Sequence, residues 1–321
     1  MIDVVIVTYN DRWKYLQRVL EYLNKIELIG EIVLVDNNSI TDYRMKLELT
    51  NAKKITVLKQ NSNTGSAKGF SIGIQYLINN GATNWIYLLD DDNLPEPDTF
   101  DVLSNAIQSN RNSVYATVRR DREYMVKAID GVNVKYLFPE INTFMGFGLF
   151  SFLSKSIFKS KKISSTDNTA PVVIPMAPYG GLLFDKSIIK NIGLPNEQFY
   201  IYVDDFDFTY RITEAGYKIE LLKNAFIVDL EKSWITQKAS SPIIRIINTY
   251  DSKAFLNIRN GSYFSFIHLK KSALIYLFNK YILLSHAFLY SIFHSKLDRF
   301  KYIMKLIKEG ESGHFNNNNF K

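Results

Sequence analysis

An unbroken apolar run, Trp85-Ile86-Tyr87-Leu88-Leu89, passes directly into three carboxylates, Asp90-Asp91-Asp92, and then into Asn93-Leu94-Pro95-Glu96-Pro97. A short apolar run bounded by turn residues predicts a strand buried on both faces. The acids stand at its C-terminal end, the edge at which open α/β sheets take their ligands. Three adjacent like charges repel one another unless a cation is present, and carboxylate oxygens suit Mg²⁺ or Mn²⁺. An acidic turn capping the next helix would have the same local sequence, so the rest of the chain has to decide.

The arrangement recurs. Asp3-Val4-Val5-Ile6-Val7-Thr8-Tyr9-Asn10 and Glu31-Ile32-Val33-Leu34-Val35-Asp36-Asn37-Asn38-Ser39 are apolar strands with polar ends, and Ile55-Thr56-Val57-Leu58 is a third strand. Between them Trp13, Leu16, Leu20 and Leu23 fall at helical spacing, and further helices are predicted near 40–50 and 66–79. Alternating strands and helices predict an α/β fold on a parallel sheet with right-handed crossovers. Thr8 and Asn10, Asp36, and Asp90 with its two neighbours then share one sheet edge and outline a binding crevice. Asp36 offers an acceptor-only group to a base N–H. Asn63-Thr64-Gly65-Ser66-Ala67-Lys68-Gly69 opens the third helix with glycines spaced GxxxGxxxG, unlike the dinucleotide or P-loop patterns. Its small residues allow close approach to the sheet or a ligand. Lys68 fits either a phosphate or solvent.

Composition narrows the chemistry. The 321 residues contain no cysteine, which removes disulfides, thiolate nucleophiles and zinc–cysteine sites and fits a reducing compartment. All four histidines, at 268, 286, 294 and 314, lie in the last fifth. Bases and metal ligands in the first 267 residues are therefore expected to be carboxylates, which favours hard cations over zinc. Met1-Ile2-Asp3 shows no secretory signal pattern. The net charge is +7, and from His268 to Glu309 eight Lys/Arg stand against two acids, which suggests an anionic partner near the C-terminus.

Val5-Ile6-Val7-Thr8-Tyr9-Asn10, Val35-Asp36-Asn37-Asn38-Ser39, Asn63-Thr64-Gly65 and Leu89-Asp90-Asp91-Asp92 together resemble the nucleotide-binding half of GT-A-fold family 2 glycosyltransferases, in order and in spacing. The resemblance implies a GT-A-like Rossmann-type, mixed and mainly parallel sheet flanked by helices. It also implies a nucleoside-diphosphate-sugar donor. Thr8, Tyr9 and Asn10 would lie near the base and Asp36 would bind it. Asn63, Gly65, Lys68 and Asp91 would line the donor site, and Asp90 and Asp92 would be the acids at the ribose and a divalent Mn²⁺ or Mg²⁺. A departing sugar diphosphate develops negative charge, which a divalent ion stabilises without proton transfer.

In the middle of the chain, a strand at 114–118 is followed by Arg119, Arg120 and Arg122 interleaved with Asp121 and Glu123, which reads as a solvated edge with one arginine able to reach a diphosphate. Residues 141–163 fit a buried helix or a loop better than a membrane-facing segment. Asp204 or Asp205 would sit at a helix N-terminus, where the macrodipole favours an anion and a simple cap has the same sequence. The run Asp204-Asp205-Phe206-Asp207-Phe208-Thr209-Tyr210-Arg211, ahead of Ala215-Gly216-Tyr217, is similar to the family's second signature, with Asp204 where Glu is usual. That resemblance makes Asp205 the base and Asp204, Asp207 and Arg211 its supporting partners, with Gly180 and Gly181 bordering donor sugar and acceptor. A base taking the acceptor proton as its oxygen attacks the anomeric carbon from the face opposite the diphosphate inverts configuration, and with no histidine here a carboxylate is the remaining base. After a predicted strand pair at 217–222 and 225–229, Asp229 stands where many relatives place a metal-ligating histidine, so it is a candidate third ligand beside Asp90 and Asp92.

Residues 272–293 are apolar but interrupted by Asn279, Lys280 and His286, so no transmembrane span is predicted. Basic residues beside aromatics fit a helix on an anionic membrane surface, or one packed on the domain or on a second copy. The expected organisation is a GT-A domain at 1–235, divided near 120, a helical extension at 236–310 and a tail at 311–321. The expected activity is metal-dependent, inverting transfer of a UDP- or dTDP-sugar to a glycan or glycolipid acceptor, in the cytoplasm or peripherally on the inner face of the membrane. A sugar nucleotidyltransferase, or a catalytically silent nucleotide-binding scaffold, are the alternatives. No nucleic-acid-binding motif is present.

Overall fold

The computed structural model describes residues 1–48, 54–110, 113–158, 170–231, 244, 247–248, 252–315 and 317. Its chain divides into two units, one of residues 1–130, 164–200 and 204–234, the other of 131–163, 201–203 and 235–321.

The first unit is built on a nine-stranded sheet. Strands β1 (Ile2–Thr8), β2 (Ile29–Asp36), β3 (Ile55–Lys59) and β4 (Trp85–Asp90) form its parallel half, in the order β3-β2-β1-β4. The helices that link them are α1 (Trp13–Leu23), α2 (Tyr43–Glu48) and α3 (Gly65–Asn80). Beyond β4 the sheet is mixed. The short β5 (Asn93–Pro95) precedes α4 (Thr99–Ser109), β6 (Ser113–Arg119) and α5 (Glu123–Ile129). β8 (Leu182–Asp185) inserts antiparallel between β4 and β6, and β7 (Val172–Ile174) pairs β9 (Lys218–Asp229). The remaining helices of this unit are α7 (Ile189–Ile192) and α8 (Asp204–Glu214).

The expected strand pair at 217–229 is a single twelve-residue strand. Both of its halves run parallel to β6, with a register shift between Thr117 and Val118, so Lys223 and Asn224 belong to an irregularity in one ladder and make no turn. Register then gathers the polar ends. Thr8 lies beside Asp36, Val7 beside Asp90, and Asn93 of β5 opposite Asp229 of β9.

Because β1, β2 and β4 are covered on both faces, their apolar residues need no alternation. Val4, Ile6, Leu34, Tyr87 and Leu89 pack with Leu16, Val19 and Leu23 of α1 in the core on one side. On the other side α3 lies close to the sheet through its small residues. A Cβ at Gly73 would run into Val5 Cγ1 and come within 3.2 Å of Val35, and one at Gly69 would overlap Val7.

The second unit has its own core, in which Phe144, Ile258, Tyr276, Leu284, Ile303 and Leu306 meet. It contains α6 (Leu149–Phe158), α9 (Ser252–Phe264), α10 (Ala273–Phe293) and α11 (Leu297–Ser312). Phe150, Phe152 and Leu153 of α6 are exposed, where the apolar run alone reads as a buried helix or a loop; the helix start is tied down through Leu149, whose N–H donates to Asn279 Oδ1 at 2.9 Å.

Close packing at α3 gives a stability prediction. Gly73→Val should lower the unfolding free energy by about 1–3 kcal/mol, the usual cost of overfilling a packed interior. Gln75→Ala, on the exposed side of the same helix, should stay within about 0.5 kcal/mol. Urea titration of the two variants checks it.

Candidate active site

The acidic strand end of β4 is folded around two arginines. Arg119, the last residue of β6, is almost fully buried. Its Nη1 donates to Asp90 Oδ2 at 2.9 Å, its Nη2 to Asp229 Oδ2, and its Nε lies 3.5 Å from Asp121 Oδ1. Arg12, between β1 and α1, donates from Nε to Asp91 Oδ1 at 3.1 Å and from Nη2 to Asp92 Oδ2 at 3.0 Å, and pairs with Glu231. Burial works against both guanidinium charges, but the surrounding carboxylates outweigh it and hold both cationic.

The carboxylates feel the opposite balance. Burial first, and then the neighbouring acids against the pull of Arg12, push Asp92 up to about 7. Asp91 is pushed up to about 6, again by burial, while Arg12 and a 2.7 Å hydrogen bond from Thr8 Oγ1 pull it down. Thr8 is therefore committed to Asp91. Asn93, fully buried, donates to Asp229 Oδ1 at 2.9 Å and to Asp92 Oδ1 at 3.3 Å, and accepts from the backbone N–H of Asp90.

Asp229 therefore has one oxygen on Arg119 and the other on Asn93. Asp90 remains 39% exposed at its side chain, against 14% for Asp92, so the open edge of the cluster is at Asp90. Among the described residues no three His, Cys, Asp or Glu side chains make a protein-only metal cage. Mg²⁺ and Mn²⁺ are commonly held by one or two carboxylates together with substrate phosphates; the open carboxylate of Asp90 fits that mode, and Asp92 fits it by exchanging its contact with Arg12 for the ion.

Glycines open the space beside the cluster. A Cβ on Gly180 would overlap Asn93 Oδ1 and lie 2.9 Å from Arg119 Nη1 and 3.0 Å from Asp90 Oδ2. Gly181, at φ +96°, leaves room for Thr117 Oγ1. A side chain at Gly180 would thus fill the approach to Asp90.

The loop before α3 is shaped by its amides. Asn37 Nδ2 donates to the Gly65 carbonyl at 2.8 Å, Thr64 Oγ1 donates to Asn37 Oδ1 at 3.0 Å, and Asn63 Oδ1 accepts from Gly65 N–H at 3.0 Å. Gly65 has φ +81°, and a Cβ there would fall on the Tyr200 carbonyl. Asp36 is buried, with Oδ1 accepting from Ser39 N–H at 2.8 Å. Tyr9 and Asn10 are exposed at the end of β1, with Asn10 at φ +64°. Lys68 points away from this group, to Glu197 Oε2 at 3.1 Å.

Asp204 and Asp205 begin α8. Val203, just before them, has φ +65°, a strained value for a β-branched residue of the kind that gathers at functional sites. Asp204 is buried and accepts from Ser66 Oγ at 2.8 Å, while burial and then the charge of Asp205 push its carboxyl far up. Asp205 accepts from Phe206 N–H at 2.8 Å. Burial raises it, Phe206 N–H and Arg122 oppose this, and Asp90 raises it further. The two acidic groups thus act on one another electrostatically. Asp207 serves the helix instead. It pairs with Arg211 Nε at 3.1 Å, and Arg211 donates to the carbonyls of Ile192 and Leu194 at the end of α7.

A family model described as glycosyl transferase family 2 matches residues 3–190, which contain the parallel half-sheet and the acidic strand end. The chain belongs to glycosyl transferase family 2. Among relatives of this family member, the dTDP-rhamnosyl transferase RfbF of Shigella flexneri is 23% identical over 227 residues, which is 71% of this chain and 68% of RfbF. The crystal structure of residues 1–349 of S. aureus TarS with UDP-GlcNAc superposes with a TM-score of 0.56 at 14% identity, covering 96% of this chain and 81% of that one. GalNAc-T7 with UDP, GalNAc and Mn²⁺ reaches 0.50 at 15% identity, covering 98% and 58%. At these identities the structural likeness is one of fold, and the fold is GT-A-like.

Two residues of the site carried no clear sequence signal. Arg12 lies in a loop, and its carboxylate partners are 79 and more residues away. Arg119 stands in a run of mixed charge that reads as a solvated edge. Arg120 fits that reading, paired with Glu96 on the surface, whereas Arg119 is drawn inward because β9 brings Asp229 alongside. Asn93 was visible only as the residue after three acids.

Arg119→Met leaves Asp229 buried without its cation. Loss of one partner from a buried pair costs about 3–5 kcal/mol. Denaturant unfolding of this variant should show a loss of that size, whereas Arg120→Met should fall below about 1 kcal/mol.

Proposed function

We propose that this family 2 glycosyltransferase transfers a sugar from a nucleoside-diphosphate donor, with UDP and dTDP favoured, to a hydroxyl of a lipid-linked cell-surface glycan, with inversion at the anomeric carbon. One observation carries the reading. The carboxylate cluster at the end of β4 and the acid pair at the start of α8 belong to the same unit, and the helix opened by the Asn63–Gly65 loop ties to that pair through Ser66 Oγ, 2.8 Å from Asp204 Oδ2. Family membership supplies the reaction class, and the dTDP-rhamnosyl and UDP-sugar relatives support the donor class.

In this reading the donor base lies against Asp36, beside Thr8, Tyr9 and Asn10, and the loop at Asn63 and Gly65 borders the ribose and phosphates with Asp91. Asp90 and Asp92, together with donor phosphates, would hold Mn²⁺ or Mg²⁺, which would stabilise negative charge on the diphosphate. Arg119 keeps Asp90 aligned, and we assign Asp229 to anchoring Arg119 in preference to direct metal binding. Gly180 and Gly181 leave room for the donor sugar, and Lys68 remains at the rim with Glu197.

Asp205 acts as base. It accepts the acceptor hydroxyl proton as that oxygen bonds to the anomeric carbon, and the bond to the diphosphate breaks with its electron pair leaving on the phosphate oxygen. A carboxylate with raised proton affinity is better matched to this transfer near neutrality than an ordinary one. Asp204, more buried and of raised proton affinity, keeps its Ser66 hydrogen bond beside it, while Asp207 and Arg211 fix the helix.

Hydrolysis and binding of a panel of UDP-, dTDP- and GDP-sugars, each with Mn²⁺, tests the donor assignment; if none is bound or consumed, it fails. Asp205→Asn should lower turnover by about 10²–10⁴-fold with donor affinity kept, whereas Asp92→Ala should lose donor affinity. Unchanged turnover in Asp205→Asn would remove Asp205 as base. Because the base must be ionised, kcat/KM should fall as pH is lowered. The midpoint should lie above the ordinary carboxylate range near ~4, since burial favours the protonated form.

A further inference from the structure

Helix α10 is apolar over most of its surface, with Asn279 and Lys280 turned inward and Ser285 and His286 the polar residues at the middle of its outer side. One face is satisfied within its own unit. Tyr276, Asn279, Lys280, Leu283, Leu284, Ala287 and Ser291 are buried there. The polar members of that face all have partners: Asn279 with Leu149 N–H and the Asn142 carbonyl, Lys280 with both oxygens of Glu311 at 2.6 and 2.7 Å, and Ser291 with the Ala287 carbonyl. The opposite face shows Leu274, Phe278, Tyr281, Phe288 and Ile292 to the outside, with exposures of 83, 51, 58, 42 and 45%. These positions follow one another at steps of three, four and seven residues along one side of the helix, in two apolar patches separated by the exposed Ser285. The helix is thus inverted relative to a helix facing water, with its charge turned inward and its apolar patches outward.

The same unit exposes further apolar side chains and carries cations at both ends of α10. Phe150, Phe152 and Leu153 of α6 are 74, 62 and 50% exposed, beside the Leu149 that Asn279 holds. Lys270 and Lys271 stand just before α10 and Lys296 just after it, while on α11 Lys301 and Lys305 lie near Asp298 and Glu309 and Lys308 is exposed. Long basic side chains at the ends of an apolar helix can reach lipid headgroups while the apolar patches enter the acyl boundary.

We propose that this face of the second unit docks on an anionic lipid bilayer, with α10 lying in the plane of the interface. The helix is 21 residues long, about 30 Å, enough to cross a bilayer. A crossing helix would however place the Lys280–Glu311 pair and the packed α9 and α11 inside the hydrocarbon, whereas one immersed side leaves them outside it. A second copy is the other candidate occupant. Symmetric pairing of this face would bring the lysines at the helix ends toward those of the partner copy, so charge favours the bilayer. The surface lies outside the donor-binding residues and does not depend on the donor assignment.

Co-sedimentation of the full chain with vesicles tests this, using phosphatidylcholine alone and phosphatidylcholine mixed with phosphatidylglycerol. The protein should sediment with the anionic vesicles, less so at high salt, and weakly with the neutral ones. Leu274→Glu/Phe278→Glu should reduce vesicle affinity at least about tenfold, with circular dichroism and UDP-sugar binding unchanged. Lys270→Gln/Lys271→Gln should reduce it roughly tenfold on anionic vesicles only. If the chain stays in the supernatant, or if the double glutamate variant sediments as the parent does, the proposal fails. It also fails if the parent is a dimer by light scattering that the same glutamates dissociate and that binds no vesicles, since the face would then be a self-interface.

Discussion

The guanidinium of Arg119 is the contact on which the site's arrangement depends. It reaches Asp90 at the end of β4 and Asp229 at the end of β9 from its own place at the end of β6. Three strands that meet at one sheet edge are thereby neutralised at a point where like charges would otherwise drive them apart. A carboxylate cluster of this density is not stable unaided in a buried setting, because desolvation and mutual repulsion both favour protonation. Arg12 does the same for Asp91 and Asp92 from the β1 side. The protein's own cations thus oppose that protonation, and the most exposed carboxylate of the three, Asp90, lies at the open edge.

The two units use charge in opposite ways. In the sheet unit the polar groups collect at the open end of the strands, the edge where such sheets meet ligands. In the helical unit the interior holds the Lys280–Glu311 pair and Asn279, while apolar side chains face outward. An apolar exterior is costly in water and calls for a nonpolar neighbour. The lysines at the two ends of α10 agree in sign with anionic lipid.

Much of this was legible in the residues. The strand at 85–89 and the acids after it, the helices between the first four strands, and the carboxylate-only chemistry of the first 267 residues follow from apolar periodicity and composition. So does the position of Asp204 and Asp205 at a helix start. The middle was harder to read because β8 and β9 enter the sheet out of chain order. The 217–229 segment looks like two strands, yet both halves pair β6 in one ladder. Lys68 could be read toward a phosphate or toward solvent, and its partner Glu197 comes from a distant turn.

Sequence by itself determined that three carboxylates would end a buried strand and that a second acidic pair would open a helix, since both are local patterns of polarity. It also determined that α10 would be largely apolar, interrupted at Asn279, Lys280 and His286. Tertiary structure alone decided which charges neutralise which. The separations between Arg119 and Asp229, Arg12 and Asp91, and Ser66 and Asp204 are 110, 79 and 138 residues, too far for any local pattern to encode. It also decided which face of α10 is left outside, because that depends on where α9 and α11 pack and on the pull of Glu311 on Lys280. Burial and pairing are properties of the assembled sheet and helices, and they set the proton affinities at the site.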